Sequence, residues 1–177
     1  MILIVVIIIL LLIIIPHYIK YHKKNKEINI IQVDKPLENN QLYQEYIYEM
    51  NPIIFKHHTI ENLKTKVSPL TIIKKEMKNS KLEDFVYHIS DTLFISAIQP
   101  TTISICNPSQ LKHFSIQKKR KPFIFLKNKN SQYSFIDIQL DANMICMIPR
   151  FWIFSVTSSV DSFYNHTVFT KLFSIVS

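Results

Sequence analysis

The chain has two distinct hydrophobic patterns: one unbroken apolar run at its beginning and many short alternating runs in its second half. The unbroken run extends from Ile2 to Ile15 and contains only Ile, Leu and Val, and the first charged residue is Lys20. As one helix rising about 1.5 Å per residue, residues 1–19 would be about 28 Å long, which is enough to cross a thin bilayer. The pattern therefore predicts a single uncleaved transmembrane helix over residues 1–19.

Two other interpretations of this run are a cleaved secretory signal and a buried core helix. A signal would carry basic residues before its apolar core and small residues at a cleavage site. Here only Met1 precedes the run, and Pro16 follows it. A core helix would be shorter and would include polar positions, so we favour the transmembrane interpretation.

The charges that follow the run predict its orientation. Lys20, Lys23, Lys24 and Lys26 all lie on its C-terminal side, in a polar stretch (residues 20–40) that we interpret as a basic juxtamembrane linker. The positive-inside rule then places the remaining domain, residues 41–177, on the cytosolic side of the membrane. Lysines at that position would lie close to anionic lipid headgroups, which makes the bilayer the first expected partner.

Short helices and strands are predicted in the first half of this domain. Helical spacing of apolar residues, together with capping signals, indicates three helices separated by strands. The last of these helices begins with a capping box and has one apolar stripe. The predicted helices are a short one within Pro36–Met50, one from Thr59 to about Lys66, and one from Ser80 with the stripe Leu82, Phe85, Val86 and Ile89; the strands are Ile53–Lys56 and Leu70–Lys74.

From Thr92 onward apolar and polar residues alternate with a period of two, which is typical of half-buried strands. Many short strands at regular spacing favour a sandwich or barrel over alternating strands and helices. The sequence therefore predicts a mainly β (α+β) domain with a few short helices. The predicted strands are Thr92–Ile98, Thr102–Cys106, Phe123–Leu126, Ile136–Asp141, Met144–Ile148, Trp152–Thr157 and Val168–Val176.

Composition narrows the possible chemistry. The chain has no glycine, which excludes a phosphate-binding Walker loop, a dinucleotide fingerprint, a nucleophile elbow and an EF-hand loop. Positions that need a positive φ are expected to be occupied by Asn. The 21 Lys and Arg against 13 Asp and Glu give a net charge of +8. Nucleic acid is not expected as the partner, because Arg120 and Arg150 are the only arginines and aromatic residues interleaved with Arg are absent.

One segment resembles a known family. Residues 143–156 resemble the late strand pair of cupin-like JmjC-type hydroxylases, which reads Gly-Asp, three apolar residues, Ile-Pro, two residues, Trp, one residue, His, one residue, Val. Ile148, Pro149, Trp152 and Val156 match, and Asn143 takes the place of the Gly. The resemblance extends over about residues 51–177. It implies a cupin-like double-stranded β-helix that would hold iron by a facial triad and leave open positions for oxygen and 2-oxoglutarate.

The ligands that this resemblance implies are not found at the matching positions. The late histidine position is Phe154, and the early His-x-Asp/Glu motif is expected near Ser104 to Pro108, where one register places Cys106 and Pro108 and another places Ser104 and Cys106. Neither register supplies a histidine or a carboxylate. The family's lysine would correspond to Lys121. The resemblance thus implies a retained barrel without its metal, and we predict no catalytic, cofactor-binding or metal-ligating residue and no cofactor.

Other candidate groups have simpler structural interpretations. His57 and His58 are neighbours, and neighbours in a strand point to opposite faces, so they would not share a metal ion. Asp137 and Asp141 would lie about 13 Å apart on one strand face, too far for an acid–base pair. The basic tetrad 118–121 is interpreted as a solvated hairpin tip, with nuclear localisation or lipid binding as alternatives.

Cys106 and Cys146 each lie in an apolar stretch, which favours buried thiols over a disulfide framework or a nucleophile paired with histidine. Trp152, the only Trp in the chain, is expected in the core. A sequon, Asn165-His166-Thr167, would be a glycosylation site only if the orientation were reversed.

Two functional classes follow from these expectations. The first is a single-pass membrane protein with a non-catalytic cupin-like domain that acts as a scaffold, a binding module with an unknown protein partner, or a virion-assembly component of a large DNA virus. The viral interpretation rests on the AT-rich bias of the composition, the short length and the N-terminal anchor. The second class is an Fe(II)/2-oxoglutarate-type oxygenase with non-standard ligands such as His88 or His113.

Overall fold

The computed structural model describes residues 28–37, 51–66, 71–120, 122–129 and 133–167. Over these ranges the chain forms twelve strands, one α-helix (α1, Ile60–Lys66) and one 3-10 helix (Pro108–His113). The strands are β1 (Ile31–Val33), β2 (Ile53–Phe55), β3 (Thr71–Ser80), β4 (Val86–His88), β5 (Thr92–Ala97), β6 (Thr101–Cys106), β7 (Phe114–Arg120), β8 (Phe123–Asn128), β9 (Ile136–Leu140), β10 (Ile145–Pro149), β11 (Ile153–Val156) and β12 (Val160–Thr167).

These strands form two six-stranded sheets. The first sheet has the order β1-β2-β10-β5-β12-β3, and the second has the order β7-β8-β4-β11-β6-β9. Strands β1 and β2 pair in parallel, and the other described pairs are antiparallel. The predicted mainly β domain of many short strands is therefore confirmed, with the strands arranged in two sheets.

The main core lies between the sheets and follows from the alternation along their strands. In β6, Ile103 and Ile105 are fully buried while Thr102 and Ser104 lie nearer the surface. Strand β11 contributes Phe154 to the same core. At about 1.5–3 kcal/mol for each fully buried large apolar side chain, this interior is the main source of stability.

Two smaller apolar clusters cover the outer faces of the sheets. Leu63 of α1 is buried against the first sheet together with Phe94 and Phe163. On the second sheet, Cys106 and Ile153 form part of the other outer cluster. Because both faces of the central strands are covered, β5 and β10 are apolar on both faces instead of alternating cleanly.

Several local predictions are confirmed. The six strands predicted between Thr92 and Thr157 are all present, with ends shifted by one or two residues. Helix α1 follows Thr59, whose hydroxyl accepts a hydrogen bond from the Asn62 N–H at 3.2 Å, as expected of an N-cap. Asn143 has φ 68°, which confirms that Asn occupies a positive-φ position in this glycine-free chain.

The helix predicted from Ser80 is wrong, since this part of the chain forms the end of β3, a loop and β4. Ser80 pairs with Val160 of β12 instead of capping a helix, and Asn79 turns the chain with φ 50°. Tyr87 is paired on both sides, with β8 and with β11. The apolar spacing of this segment also fits a helix, but a ten-residue helix has little stability of its own, and the two flanking strands supply hydrogen bonds on both edges.

Other strands differ from prediction in extent or were not predicted. Strand β3 continues to Ser80, beyond the expected end at Lys74, because it pairs along its length with β12. Strand β7 was not predicted, since its second half is charged, yet it forms a hairpin with β8. Strand β1 lies within the predicted linker over residues 20–40 and pairs with β2.

Three predictions lie outside the described residues: the transmembrane helix over residues 1–19, residues 38–50 of the helix within Pro36–Met50, and the last strand at Val168–Val176. Lys121 also lies outside them. In the part of the chain that the structure describes, no helix has both the length and the apolar character needed to cross a membrane.

Candidate functional site

The strongest candidate site is built around the turn that joins β10 to β11. The Trp152 N–H donates to the Pro149 carbonyl at 3.3 Å, and the Phe151 N–H donates to the His88 carbonyl at 3.2 Å. Phe151 itself has φ 66°, a conformation that is unfavourable for a bulky residue and that clusters at functional positions. The turn is thereby fastened to the end of β4, where His88 lies.

His88 is fully buried, and both of its ring nitrogens have partners within the protein. Its Nε2 lies 2.9 Å from the carbonyl oxygen of Ile148 and 3.0 Å from that of Pro149. Its Nδ1 lies 2.6 Å from the hydroxyl of Ser90. Because a carbonyl only accepts hydrogen bonds, Nε2 must carry the proton, and in the neutral ring Nδ1 then accepts from the Ser90 hydroxyl.

The interior holds this ring in its neutral form. Desolvation lowers the pKa of His88 to about 3, while the hydrogen bonds to the carbonyls of Ile148 and Pro149 raise it, and Arg150 and His166 lower it further. At neutral pH the imidazole is therefore an uncharged donor and acceptor whose ring nitrogens are both engaged in hydrogen bonds.

Phe154 fills the space beside this histidine. Its ring lies 6.4 Å from the His88 ring, edge to face at 66°, and 6.3 Å from the ring of Phe123 at 70°. Phe154 lies directly opposite Val86 in the β4–β11 pair, so both aromatic contacts follow from the register of the second sheet. An apolar ring thus lies next to the buried imidazole. A polar side chain at this position could have bound a ligand together with His88, and the phenyl ring cannot.

The segment predicted to carry an early ligand motif lies on the other face of the sheet. Cys106 is buried in the outer cluster beside Ile153, and burial raises the pKa of its thiol to about 12. The hydroxyl of Ser104 donates to the carboxylate of Asp137 at 2.6 Å near the surface. Ile105, not Ser104 or Cys106, is the residue directly opposite Phe154. Neither predicted register therefore reaches the interior.

The structure instead brings together His88, Ser90 and Phe154, a grouping that the sequence analysis missed. His88 was considered only as an isolated non-standard ligand, and Ser90 was not considered. The pattern His-x-polar was present in the sequence at His88 and Ser90, but this segment was predicted to be a helix, so the pattern was not expected at the end of a strand. His113, the other non-standard candidate, ends the 3-10 helix next to Phe114 of the outer cluster.

The remaining candidates do not form a second polar site. His57 is exposed, whereas His58 is buried against Phe55 with ring centroids 5.3 Å apart. Burial, followed by the charge of His57, lowers the pKa of His58. Trp152 is buried in the core, as predicted.

Both thiols are buried. Cys146 is in the core, where burial raises the pKa of its thiol to about 12. Among the described residues both cysteines are free, so the expectation of buried, unpaired thiols is confirmed. A thiol with so high a pKa is protonated at neutral pH and is a poor nucleophile.

An iron triad of the kind that the resemblance implies does not fit these residues. Ser90 offers a hydroxyl in place of a carboxylate, and Phe154 offers no ligand atom. To bind a metal, Nε2 of His88 would have to give up its hydrogen bonds to the backbone, and Nδ1 would have to give up its hydrogen bond from the Ser90 hydroxyl. Over the described ranges, no three His, Cys, Asp or Glu side chains come close enough to hold a metal ion.

An open depression on the described surface lies at the side of the two sheets, away from this histidine. It is an open cleft of about 390 Å³ between β1, β2 and β9, with Ile54 and Ile138 among its lining residues. Its polar lining comes from Gln32, Asp137 and Gln139. Asp137 is the one titratable side chain among the described residues that line it.

Comparison of the sequence with protein-family models and with curated proteins found no match in either case.

Proposed function

We propose that this chain is a membrane-anchored protein whose β domain is a non-catalytic, cupin-like binding or scaffolding module. Its eight-strand kernel supports the cupin-like part. Strands β3, β5, β10 and β12 are neighbours in the first sheet, and β4, β6, β9 and β11 are neighbours in the second. The chain passes from one sheet to the other at nearly every connection of this kernel, as in jelly rolls and cupins.

The grouping of His88, Ser90 and Phe154 carries the non-catalytic part of the proposal. In the resembled family, an early strand supplies His-x-Asp/Glu and a late strand supplies the second His. Here β4 ends in His88 with Ser90 two residues later, and its direct neighbour β11 carries Phe154. We therefore align these three residues with the family's ligands, in place of the segment Ser104 to Pro108. One histidine is kept, a hydroxyl replaces the carboxylate, and a phenyl ring replaces the second histidine.

This substitution pattern supports a structural role, and not a catalytic one, for the residues around His88. The one retained histidine has become a structural residue that ties the end of β4 to the carbonyls of β10. Phe154 contributes to the core at a position where a ligand would need solvent access for oxygen and cosubstrate. The domain would then act through its surface, by binding a protein or lipid partner.

Metal analysis tests this proposal. The purified full-length protein, incubated with Fe(II) or Mn(II) and then dialysed, is expected to retain no stoichiometric metal. Stoichiometric metal that is lost in His88→Ala or in His113→Ala would support the alternative, an oxygenase with non-standard ligands, and would contradict the proposal.

A restored triad provides the positive control. The double variant Ser90→Asp/Phe154→His is expected to gain metal binding, because it recreates two oxygen or nitrogen ligands beside His88. The single variant Ser90→Asp, which keeps Phe154 in place, is expected to gain none. Circular dichroism would establish that both variants are folded, so that metal content reports on geometry alone.

The membrane part of the proposal rests on the apolar run from Ile2 to Ile15 and on the four lysines that follow it within residues 20–26. We propose that residues 1–19 cross a bilayer with the domain on the cytosolic side. Protein released from membranes by alkaline carbonate would contradict the anchor, and a domain protected from added protease in sealed cytosol-side-out vesicles would contradict the orientation.

The natural sequon does not provide a simple orientation reporter. Asn165 is buried in β12, and its side-chain oxygen accepts hydrogen bonds from the N–H and the hydroxyl of Thr92. A glycan at Asn165 would be incompatible with this packing. The single substitution His57→Asn, at an exposed position between β2 and α1, creates an Asn-His-Thr acceptor site that would report orientation without disturbing the sheets.

A virion-assembly role is one form of the scaffold function proposed here. It is consistent with an N-terminal apolar run joined to a domain whose described residues form no cluster that could hold a metal ion. Co-purification of the protein with assembled virus particles from infected cells, and its absence from free host membranes, would test that role directly.

A further inference from the structure

The positive charge of this protein is concentrated in one stretch of the chain. No Asp or Glu occurs between Asp91 and Asp137. Seven of the 21 Lys and Arg lie in this interval: Lys112, Lys118, Lys119, Arg120, Lys121, Lys127 and Lys129. The other 14 Lys and Arg nearly balance the 13 Asp and Glu, so almost the whole net charge of +8 comes from this interval.

The fold places this charge at one edge of the second sheet. Strand β7 is the outermost strand, and with β8 it forms an antiparallel hairpin. We define the basic hairpin by its exposed cations of known position: Lys118, Lys119, Arg120, Lys127 and Lys129. Lys119 has a partner within the protein, whereas the other four cations form no ion pair with the described residues, whose ion pairs lie at α1, β3 and the end of β1.

Exposed aliphatic side chains lie along the same sheet edge. Ile116 shares a face of β7 with Lys119, and Lys118 and Arg120 lie on the other face of this edge strand. Ile116 of β7 is 54% exposed, and Leu111 of the adjoining 3-10 helix is 39% exposed. Aliphatic residues next to lysines are typical of surfaces that lie in the headgroup region of a membrane, where the apolar side chain enters and the amines meet phosphates. A surface for single-stranded nucleic acid would instead present aromatic rings for base stacking.

We propose that the basic hairpin, with Ile116 and Leu111, docks onto anionic lipid headgroups of the bilayer that holds the N-terminal run. This inference rests on the proposed membrane anchor, which keeps the domain near one leaflet. It adds a second contact, and two contacts at one membrane fix the orientation of the domain far better than a single tether does. The sheet edge at β7 would then face the lipid.

The two native cysteines make a site-specific probe possible. Cys106 and Cys146 are both fully buried, so a maleimide dye would react selectively at a cysteine introduced by Ile116→Cys. The full-length labelled variant would be reconstituted in nanodiscs of phosphatidylcholine alone or with about one third phosphatidylserine. Docking is expected to shift the dye emission to the blue and to allow quenching by spin-labelled lipids, only in the anionic discs and only at low salt.

Matched variants separate the hairpin from net charge. Lys118→Gln/Arg120→Gln is expected to weaken docking about 30-fold, since each basic residue near an anionic surface favours association about fivefold. Lys35→Gln/Lys56→Gln removes the same charge near β1 and β2, on the side of the sandwich away from β7, and is expected to change docking less than threefold. A dye at Ile98→Cys, in the exposed turn between β5 and β6, is expected to report no lipid contact.

The outcomes distinguish the docking proposal from the anchor. A chain that is incorporated in neutral discs but shows the same dye emission in anionic and neutral discs would overturn the docking surface and leave the anchor standing. A chain that is not incorporated in neutral discs would overturn the anchor. An emission shift at position 116 on addition of RNA or of an acidic protein, without any shift in anionic discs, would also overturn lipid docking.

Discussion

The interior around His88 and the basic hairpin belong to the same sheet, yet their polar groups lie in opposite environments. In the interior, each nitrogen of His88 has a partner, burial keeps the ring neutral, and Phe154 closes the remaining space. At the hairpin, cations are exposed without acidic residues nearby in the sequence. The contrast shows that the buried polar group of this sheet contributes to stability, while its exposed charges lie at the sheet edge.

Replacing Phe154 is expected to have the largest effect on stability. Phe154→Ala would leave a cavity between His88 and Phe123, and it is expected to lower the free energy of unfolding by about 3–5 kcal/mol. Phe135→Ala removes an equal number of atoms from a side chain that is 47% exposed and is expected to cost under about 1 kcal/mol. Chemical denaturation of both variants would measure the difference, and equal losses would contradict the core role of Phe154.

Removal of the histidine is expected to cost somewhat less. His88→Leu keeps most of the volume but leaves the carbonyl of Ile148 and the hydroxyl of Ser90 without their partner, for an expected loss of about 2–3 kcal/mol. His57→Leu, at an exposed position, is expected to change the free energy of unfolding by less than about 0.5 kcal/mol. If His88→Leu were as stable as the natural chain, the ring would not be tying β4 to β10.

The same residue predicts a dependence on pH. The pKa of His88 is about 3 in the folded protein against 6.5 for the free side chain, so the unfolded chain binds more protons between these pH values. Stability is therefore lost as the pH falls through this window, by about 2–3 kcal/mol between pH 7 and pH 4.5. Denaturation curves for the natural chain and His88→Leu would isolate this contribution, because the variant retains the acid response of every other group.

The hairpin is expected to be nearly neutral for stability. Lys118→Gln/Arg120→Gln should change the free energy of unfolding by less than about 0.5 kcal/mol, because these exposed charges make no described ion pair. Thermal denaturation of this variant and of the natural chain would test this. A loss as large as that expected for Phe154→Ala would mean that the hairpin is a folding element and not a free binding surface.

The sheet content of the fold follows from local sequence, whereas its pairing does not. Alternation between Thr92 and Thr157 correctly predicted six strands, since period two reflects which side chains face the core. The segment 80–89 has apolar residues at spacings that suit a helix as well as a strand. Only its neighbours β8 and β11, which lie far away in the chain, decide between these two structures.

The same error concealed the grouping around His88. Because a helix is predicted over residues 80–89, the sequence gives no reason to expect His88 on a strand beside Phe154. The structure shows that Ser104 and Cys106 face away from Phe154, because the residue opposite Phe154 in the β6–β11 register is Ile105. Which residues share a sheet face is set by register, and a shift of one residue exchanges the faces.

The state of the His88 ring tests the central claim most directly. Nitrogen NMR of the full-length protein, labelled at histidine, would report the protonation of Nδ1 and Nε2 at pH 7, before and after a stoichiometric addition of Zn(II). The expected result is one buried histidine with a proton on Nε2, a bare Nδ1, and no change on addition of metal. A His88 signal that moves to a metal-bound position, or that already shows a protonated Nδ1, would contradict the account.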